Sequence, residues 1–335
     1  MEFYATLGAS CSSEETLLSL FREGMTAARL NLSHTTLAGC EPLLERFHGA
    51  AARAGVSPRL VIDLQGPELR VGRLEQPVEL APDAEALLGE EGIPVPESVV
   101  GAALPGDRIS LDDSALLLSV ISRGARSLRC RILRGGLLQS RKSLAILGRE
   151  TDAPALTPED RENLRAAGRF GVTDVLQPFV RSADDVCAVR AALNGAGLSS
   201  VRIMAKIENR RGLAHLDEIL GAADEICIAR GDLGNSMPLW ELPRRQKEIA
   251  RRCREAGRPF CVATQLLWSM QERAVPTRAE VCDIYNAVLD GASGLMLTGE
   301  TAVGKWPAEA MRFLTATAKT ACKDRISARE NQTKG

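Results

Sequence analysis

The sequence predicts an α/β protein built as a closed (β/α)8 TIM barrel, with a small all-β module inserted after the third strand. Three observations carry that prediction. Short apolar runs alternate with amphipathic stretches in a β-α-β-α-β rhythm at the start of the chain, the pattern of a parallel sheet with helices outside. The rhythm stops near residue 72, and short β-rich runs between turn signals replace it through residue 150. It then resumes, and three strands before the interruption plus five after it make eight, the number that closes into a barrel.

The elements follow in order. EFYATL is the first strand, and SSEETLLSLFREG supplies a Ser cap, early glutamates and a closing Gly for the first helix. AARLNLS is the second strand, LAGCEPLLERFHGAAARAG the second helix and RLVIDL the third strand. The inserted module contains LPGDRISLDDSALLLSVI and LRCRILRGG, without long helical stretches. Thr-Pro-Glu-Asp at 157–160 then starts a helix and restores the rhythm. VTDVLQPF, VRIMAKI, EICIA, RPFCVA and GLMLT are the remaining strands, each followed by a helical run such as SADDVCAVRAALNGAG or TRAEVCDIYNAVLDG. The expected division is a barrel over 1–71 and 151–325, a β-rich module over 72–150, and a frayed polar tail over 326–335.

Composition narrows the function classes. The chain has 335 residues, 45% of them hydrophobic, enough for one large domain or two ordinary ones. A formal net charge of −1 gives no reason to expect nucleic acid or an anionic membrane as partner. No window approaches the roughly 20 apolar residues that span a bilayer. MEFYATLGAS lacks the basic and apolar regions of a signal peptide, so a cytoplasmic location is expected. Nine cysteines without a C-x-x-C pair, and three scattered histidines, argue for reduced thiols over a zinc site or a disulfide framework.

In such a barrel, functional groups gather at the C-terminal ends of the strands. Arg29, Asn31 and Ser33 alternate in ARLNLSH and share one side of the second strand. Arg offers a planar fork for phosphate or carboxylate, while Asn and Ser offer oxygens for a monovalent cation. A polar edge that caps the next helix would look the same. Asp63 ends the third strand, Gly66-Pro67 forces a turn, and Glu68 and Arg70 follow at alternate positions. An ordinary turn with surface charges is the plain alternative.

The fifth strand places Lys206 and Glu208 two residues apart on one side. Such a pair alone is a structural salt bridge. Asp232 follows the next strand in IARGDLG, however, so Glu208 and Asp232 can converge as two carboxylates on one divalent cation. Lys206 beside that metal would face a developing anion. Gly231 lets backbone N–H groups approach a ligand closely. Thr264 ends the seventh strand with its hydroxyl at the mouth, where a helix cap is the plain reading. LTGETAVGK, after the eighth strand, is a possible anion cradle but lacks the Walker spacing.

Taken together, TLGAS, EGMTAARLNLSH, DLQGPELR, LPGDRISLDD, KIENRRG, IARGDLG, ATQLLWSM and PTRAEVCDIYNAVLDGASGLMLTGETAVGKWP resemble pyruvate kinase, in the family's order and over almost the whole chain. The resemblance implies a barrel interrupted by a β lid, and phosphoryl transfer from phosphoenolpyruvate to ADP, giving pyruvate and ATP. It implies that Glu208 and Asp232 hold Mg²⁺ (or Mn²⁺) and that Lys206 stabilises charge in the transition state. Gly231, Asp232 and Thr264 would meet phosphoenolpyruvate, with Thr264 near the carbon that gains a proton, and Arg29 would grip phosphate. Asn31, Ser33, Asp63 and the Leu64 carbonyl would bind K⁺, and Glu68 matches the K⁺-dependent form of the family. Asn31, His34, Arg70 and Lys142 would serve the nucleotide. The family's C-terminal regulatory domain has no counterpart in this sequence, so a homodimer through the barrel is expected.

The departures from the family's pattern are uneven. The metal and phosphoenolpyruvate positions match. Gln65 replaces a Lys in DLQGPE, Pro178 a Ser in LQPFVR, Trp268 a Glu, and Ser236 an acidic residue, while SRKSLAILG and DDSALL depart within the module. An active kinase is the leading expectation. A metal–enolate enzyme of other specificity, such as a 2-oxo acid decarboxylase or lyase, and a non-catalytic phosphoenolpyruvate-binding protein are the alternatives.

Overall fold

Eight parallel strands close a barrel in a computed structural model of the chain. The structure describes the chain apart from residues 34, 113–114, 150–152 and 333–335, with only the backbone for 326–332. The strands are β1 (Glu2–Thr6), β2 (Ala27–Asn31), β3 (Arg59–Asp63), β4 (Asp174–Gln177), β5 (Arg202–Ile207), β6 (Glu225–Ala229), β7 (Phe260–Ala263) and β8 (Gly294–Leu297). Each pairs with its neighbours in sequence, and β8 returns to β1 through Glu2 beside Gly294. Among the described residues, the outside is covered by the helices α1 (Glu14–Arg22), α2 (Glu41–Ala54), α3 (Pro158–Ala166), α4 (Ala183–Gly195), α5 (Leu216–Ala222), α6 (Leu242–Glu255), α7 (Arg278–Leu289) and α8 (Pro307–Gln332). The eight-stranded barrel expected from the sequence is therefore present.

Local chemistry explains the boundaries. Ser13 caps α1 by accepting from the Thr16 amide, and Glu14 and Glu15 lie in its first turn, where they favour the positive end of the helix dipole. Gly55 ends α2 at φ +69°, a left-handed conformation that glycine adopts without a Cβ penalty. Thr157 and Asp160 form a capping box at the start of α3. The polar stretch expected to fray from 326 instead continues α8 to Gln332.

The main core lies between the strands and the helices, with Leu17, Leu20, Leu44, Phe47 and Leu60 fully buried or nearly so. Burying each such side chain contributes about 1.5–3 kcal/mol. The barrel interior is a second cluster that includes Tyr4, Val61, Leu176, Met204, Cys227, Cys261 and Met296. Its lower end is closed by charge. Arg59 Nε donates to Asp174 at 2.9 Å, and its two Nη atoms reach the Tyr4 hydroxyl at 2.8 Å and Glu225 at 3.3 Å. Arg202 joins Glu225 at 3.2 Å. Arg59, Asp174, Arg202 and Glu225 begin their strands, so the network ties together the N-terminal face, where barrels hold stability residues. No helix among the described residues is long and apolar enough to cross a membrane.

Contacts divide the chain into the barrel unit, Met1–Gly66 with Ala155–Gly335, and a second unit, Pro67–Pro154. The expected boundaries of 72 and 150 fall inside that second unit. The reason is a pairing at its base: the Val71 amide donates to Lys142 O and the Leu144 amide to Leu69 O. The second unit contains a five-stranded antiparallel sheet over Leu144–Ile146, Arg108–Leu111, Leu116–Arg123, Ser127–Arg134 and Glu85–Gly89, in that spatial order. Val78–Leu80 pairs separately with Gly136–Leu138. One short helix, Glu97–Ala102, departs from the all-β expectation. Its Val99 and Val100 are buried in the unit's own core.

Candidate active site

The C-terminal ends of β2, β3 and β5 carry a continuous chain of charge. Arg29 on β2 donates to Asp63 Oδ2 at the end of β3 through Nε at 2.9 Å and Nη2 at 2.5 Å. Its remaining nitrogen reaches the Thr6 hydroxyl at 3.0 Å. Lys206 Nζ on β5 lies 3.7 Å from the same Asp63 oxygen and 3.3 Å from Glu208 Oε2. All four side chains are largely or fully buried. Lys206 and Glu208 share a side of β5 because strand side chains alternate.

Burial alone would pull the Lys206 ammonium toward neutrality. The carboxylates of Asp63, Glu208 and Asp232 outweigh that effect and hold its pKa above the ordinary value. Glu208 shows the opposite balance. Burial pushes it up to about 8, with Lys206 opposing the rise and Asp232 and Asp63 adding to it. Glu208 Oε1 accepts from the Phe179 amide at 2.6 Å, and Phe179 sits at φ +52°. A left-handed backbone at an aromatic residue costs free energy, and such strain concentrates at functional sites.

Two site carboxylate oxygens, Asp63 Oδ1 and Glu208 Oε2, are buried without a hydrogen-bond partner among the described residues. An orphaned carboxylate oxygen is costly unless a cation meets it. The unmet Asp63 oxygen therefore suits a cation, while Glu208 Oε2 already has the Lys206 ammonium beside it at 3.3 Å. Glu208 with the half-buried Asp232 offers two carboxylates, the number a magnesium-sized ion takes from protein. Asp63 lies near Asn31, whose side-chain oxygen accepts from the Ser33 amide at 3.1 Å, and precedes Leu64, whose amide donates to Leu176 O at 3.1 Å. No group of three or more His, Cys, Asp or Glu residues suited to a metal occurs among the described residues.

A second feature joins β6 to β7. The Gly231 amide, in a short helix Arg230–Asn235, donates to Thr264 Oγ1 at 2.9 Å. Arg230 grips the Thr264 carbonyl with Nε at 3.2 Å and Nη2 at 2.6 Å. Its third nitrogen donates to Asp283 on α7 at 2.6 Å. Thr264 and Gln265 lie at φ +69° and +53°.

The barrel thus brings together Arg29, Asp63, Lys206 and Glu208, and separately Gly231 and Thr264. Asp232 joins electrostatically through its influence on Lys206 and Glu208. Arg70 and Lys142 belong to the second unit, on its paired 69–71 and 142–144 segments. There Arg70 donates twice to Glu68, at 2.9 and 2.7 Å, and Lys142 Nζ lies 2.9 Å from Asp112. His34, expected to serve the nucleotide, lies outside the described residues.

Sequence reasoning missed three carboxylates that shape the mouth. Asp160, fully buried, accepts from the amides of Gln65 at 2.8 Å, Gly66 at 3.0 Å and Thr157 at 3.0 Å. Its place in Thr-Pro-Glu-Asp signalled only a helix cap. Glu300 accepts from the Leu267 amide at 3.1 Å and the Thr298 amide at 2.8 Å. Within LTGETAVGK, the expected anion cradle, the Thr298 amide is thus taken by the chain's own Glu300. Asp283 is the third, and no local pattern marks it.

A closed parallel barrel that gathers charged side chains at the C-terminal ends of its strands is the arrangement of a (β/α)8-barrel enzyme with its site at that face. The family model described as pyruvate kinase, barrel domain, matches residues 2–311. The pyruvate kinase of Aeropyrum pernix is 38% identical over 326 residues, covering 96% of this chain and 71% of that protein. That of Geobacillus stearothermophilus is 36% identical, covering 92% and 54%. Human pyruvate kinase PKLR is 38% identical, covering 95% and 59%. The chain belongs to the pyruvate kinase family, and it spans only part of the length of these relatives.

Proposed function

We propose that this chain transfers the phosphoryl group of phosphoenolpyruvate to ADP, giving pyruvate and ATP, with Mg²⁺ (or Mn²⁺) and K⁺ bound. The observation that carries the reading is the buried Lys206 ammonium held between Asp63 and Glu208 at the mouth. Arg29 and Lys206 present positive charge to the phosphoryl group. Glu208 and Asp232 hold Mg²⁺, and Asn31, Ser33, Asp63 and the Leu64 carbonyl hold K⁺. When bound, the divalent ion neutralises charge on the transferring phosphoryl oxygens. The phosphorus–oxygen bond to the enol breaks, a bond to the ADP terminal oxygen forms, and the enolate carbon takes a proton near Thr264. Asn31, His34, Arg70 and Lys142 serve the nucleotide. Positioning and fixed charge do most of the work in such a transfer. We place the protein in the cytoplasm, with a homodimer through the barrel.

A coupled pyruvate-release assay with phosphoenolpyruvate, ADP, Mg²⁺ and K⁺ tests this, with Lys206→Met as control. Turnover that vanishes in the variant supports the kinase. Absence of turnover in the folded parent with any nucleoside diphosphate sinks it. One observation favours a second reading. Arg70 and Lys142, assigned to the nucleotide, are already paired with Glu68 and Asp112 in their own unit. A metal–enolate enzyme such as a 2-oxo acid decarboxylase would not need them. Mg²⁺-dependent release of CO₂ from oxaloacetate without phosphoryl transfer would select that reading.

A further inference from the structure

The clasp between β6 and β7 has an unusual construction. Thr264 is β-branched and left-handed, a backbone conformation that persists only where the surroundings enforce it. Gln265 repeats the conformation. The Arg230 guanidinium enforces it by taking the Thr264 carbonyl with two nitrogens. A flat fork is needed, because the third nitrogen must point away toward Asp283 at the same time. The Arg230 side chain is 10% exposed, so water competes little for these bonds.

The hydroxyl of Thr264 follows from the same geometry. Gly231 N–H donates to Thr264 Oγ1, so that oxygen acts as an acceptor on one side. A hydroxyl has one proton, and the hydrogen bonds of the described residues include no acceptor for it. The proton is left to point elsewhere, as a donor at the end of β7. The orientation depends on where the Thr264 backbone sits, and that depends on Arg230.

We infer that Asp283, on the outer helix α7, is a positioning residue for the reaction: it locks Arg230, which holds Thr264 so that its hydroxyl presents a proton to the substrate. The inference rests on the phosphoenolpyruvate reading above. Asp283 touches no reacting atom and acts two residues removed, through Arg230 and then Thr264.

The test compares Asp283→Ala, Asp283→Asn and Arg230→Lys, each alone and with Thr264→Ala. Asp283→Ala should lower kcat roughly 10- to 100-fold, the cost of misplacing a group by about an ångström. KM for phosphoenolpyruvate should stay within about threefold, because the interaction serves the chemical step. Asp283→Asn, whose amide oxygen still accepts from Arg230, should recover most of kcat, and Arg230→Lys should not. In the Thr264→Ala background, Asp283→Ala should cost nothing further. Amide hydrogen exchange at Gly231 gives a readout without activity, and it should accelerate roughly tenfold or more in Asp283→Ala. Unchanged kcat in folded Asp283→Ala, or a full further loss in the Thr264→Ala background, overturns the inference. If the parent shows no turnover, the kinase reading fails. Gly231 exchange then decides the clasp by itself, and an unaltered rate in Asp283→Ala refutes it.

Discussion

Asp160→Ala is the most informative substitution outside the charged cluster. The carboxylate is fully buried and accepts three backbone N–H groups, from Gln65, Gly66 and Thr157. The Gly66 bond is buried, so its loss strands a donor at about 1–3 kcal/mol. The other two are partly buried, and hydrogen bonds to a charged acceptor are worth roughly 1.5–3 kcal/mol each before water compensates. Water reaches both vacated amides in part, which brings the expected total to about 3–5 kcal/mol. For a large unit each kcal/mol moves Tm by roughly 2–4 °C, so a fall on the order of 10 °C is expected. Thermal denaturation by circular dichroism and urea midpoints measure it. Asp160→Asn keeps one acceptor oxygen and should lose about half as much. The loop after Asp63 also loosens, so half-saturation by K⁺ should rise in Asp160→Ala. A loss below about 1 kcal/mol would refute the reasoning, because the three amides would then have found partners elsewhere.

Other outcomes follow from the same structure. Glu208 binds its proton more tightly folded, at about 8, than its ordinary 4.5. Metal-free stability should therefore be greatest below pH 4.5 as far as this group is concerned, and that contribution should be lost as pH rises through 8. Glu208→Gln should flatten that dependence in pH-scanned thermal unfolding, and the Mg²⁺-induced rise in Tm should grow with pH only in the parent. Gly66→Ala places a Cβ 2.6 Å from Pro178 Cγ at φ +59°. It should destabilise by roughly 2–4 kcal/mol, and adding Pro178→Ser should return part of that in a double-mutant cycle. Arg59→Met removes the cation shared by Asp174 and Glu225 at the N-terminal face, leaving them Arg202 and the Thr173 hydroxyl, and should cost about 2–3 kcal/mol by urea unfolding, with kcat unchanged in the surviving folded fraction.

The strands were readable because each is a short apolar run between polar turns, and RLVIDL and EICIA map onto β3 and β6 with few residues to spare. Alternation placed Lys206 and Glu208 on one side of β5, as found. Long-range partners were not readable. Arg230 and Asp283 are separated by 53 residues, and Asp160 by 94 from Gly66, so no local period connects them. A buried carboxylate such as Glu300 also reads like any surface acid until the amides around it are known. The second unit began earlier than expected for a related reason: the pairing of 69–71 with 142–144 spans the whole insertion.

The barrel interior has a consequence for how this chain can change. Barrels of this kind are usually filled with branched side chains in rigid layers. Here Met204, Cys227, Cys261 and Met296 lie among Ala27, Ala229 and Ala263. Thioethers and thiols are soft and re-settle into altered space at little cost. Cys227 sits directly beside Lys206 in the strand register. A laboratory selection for new specificity could thus replace residues around that lysine while the staves keep their alignment, the sulfur lining acting as upholstery between a fixed frame and a changeable seat.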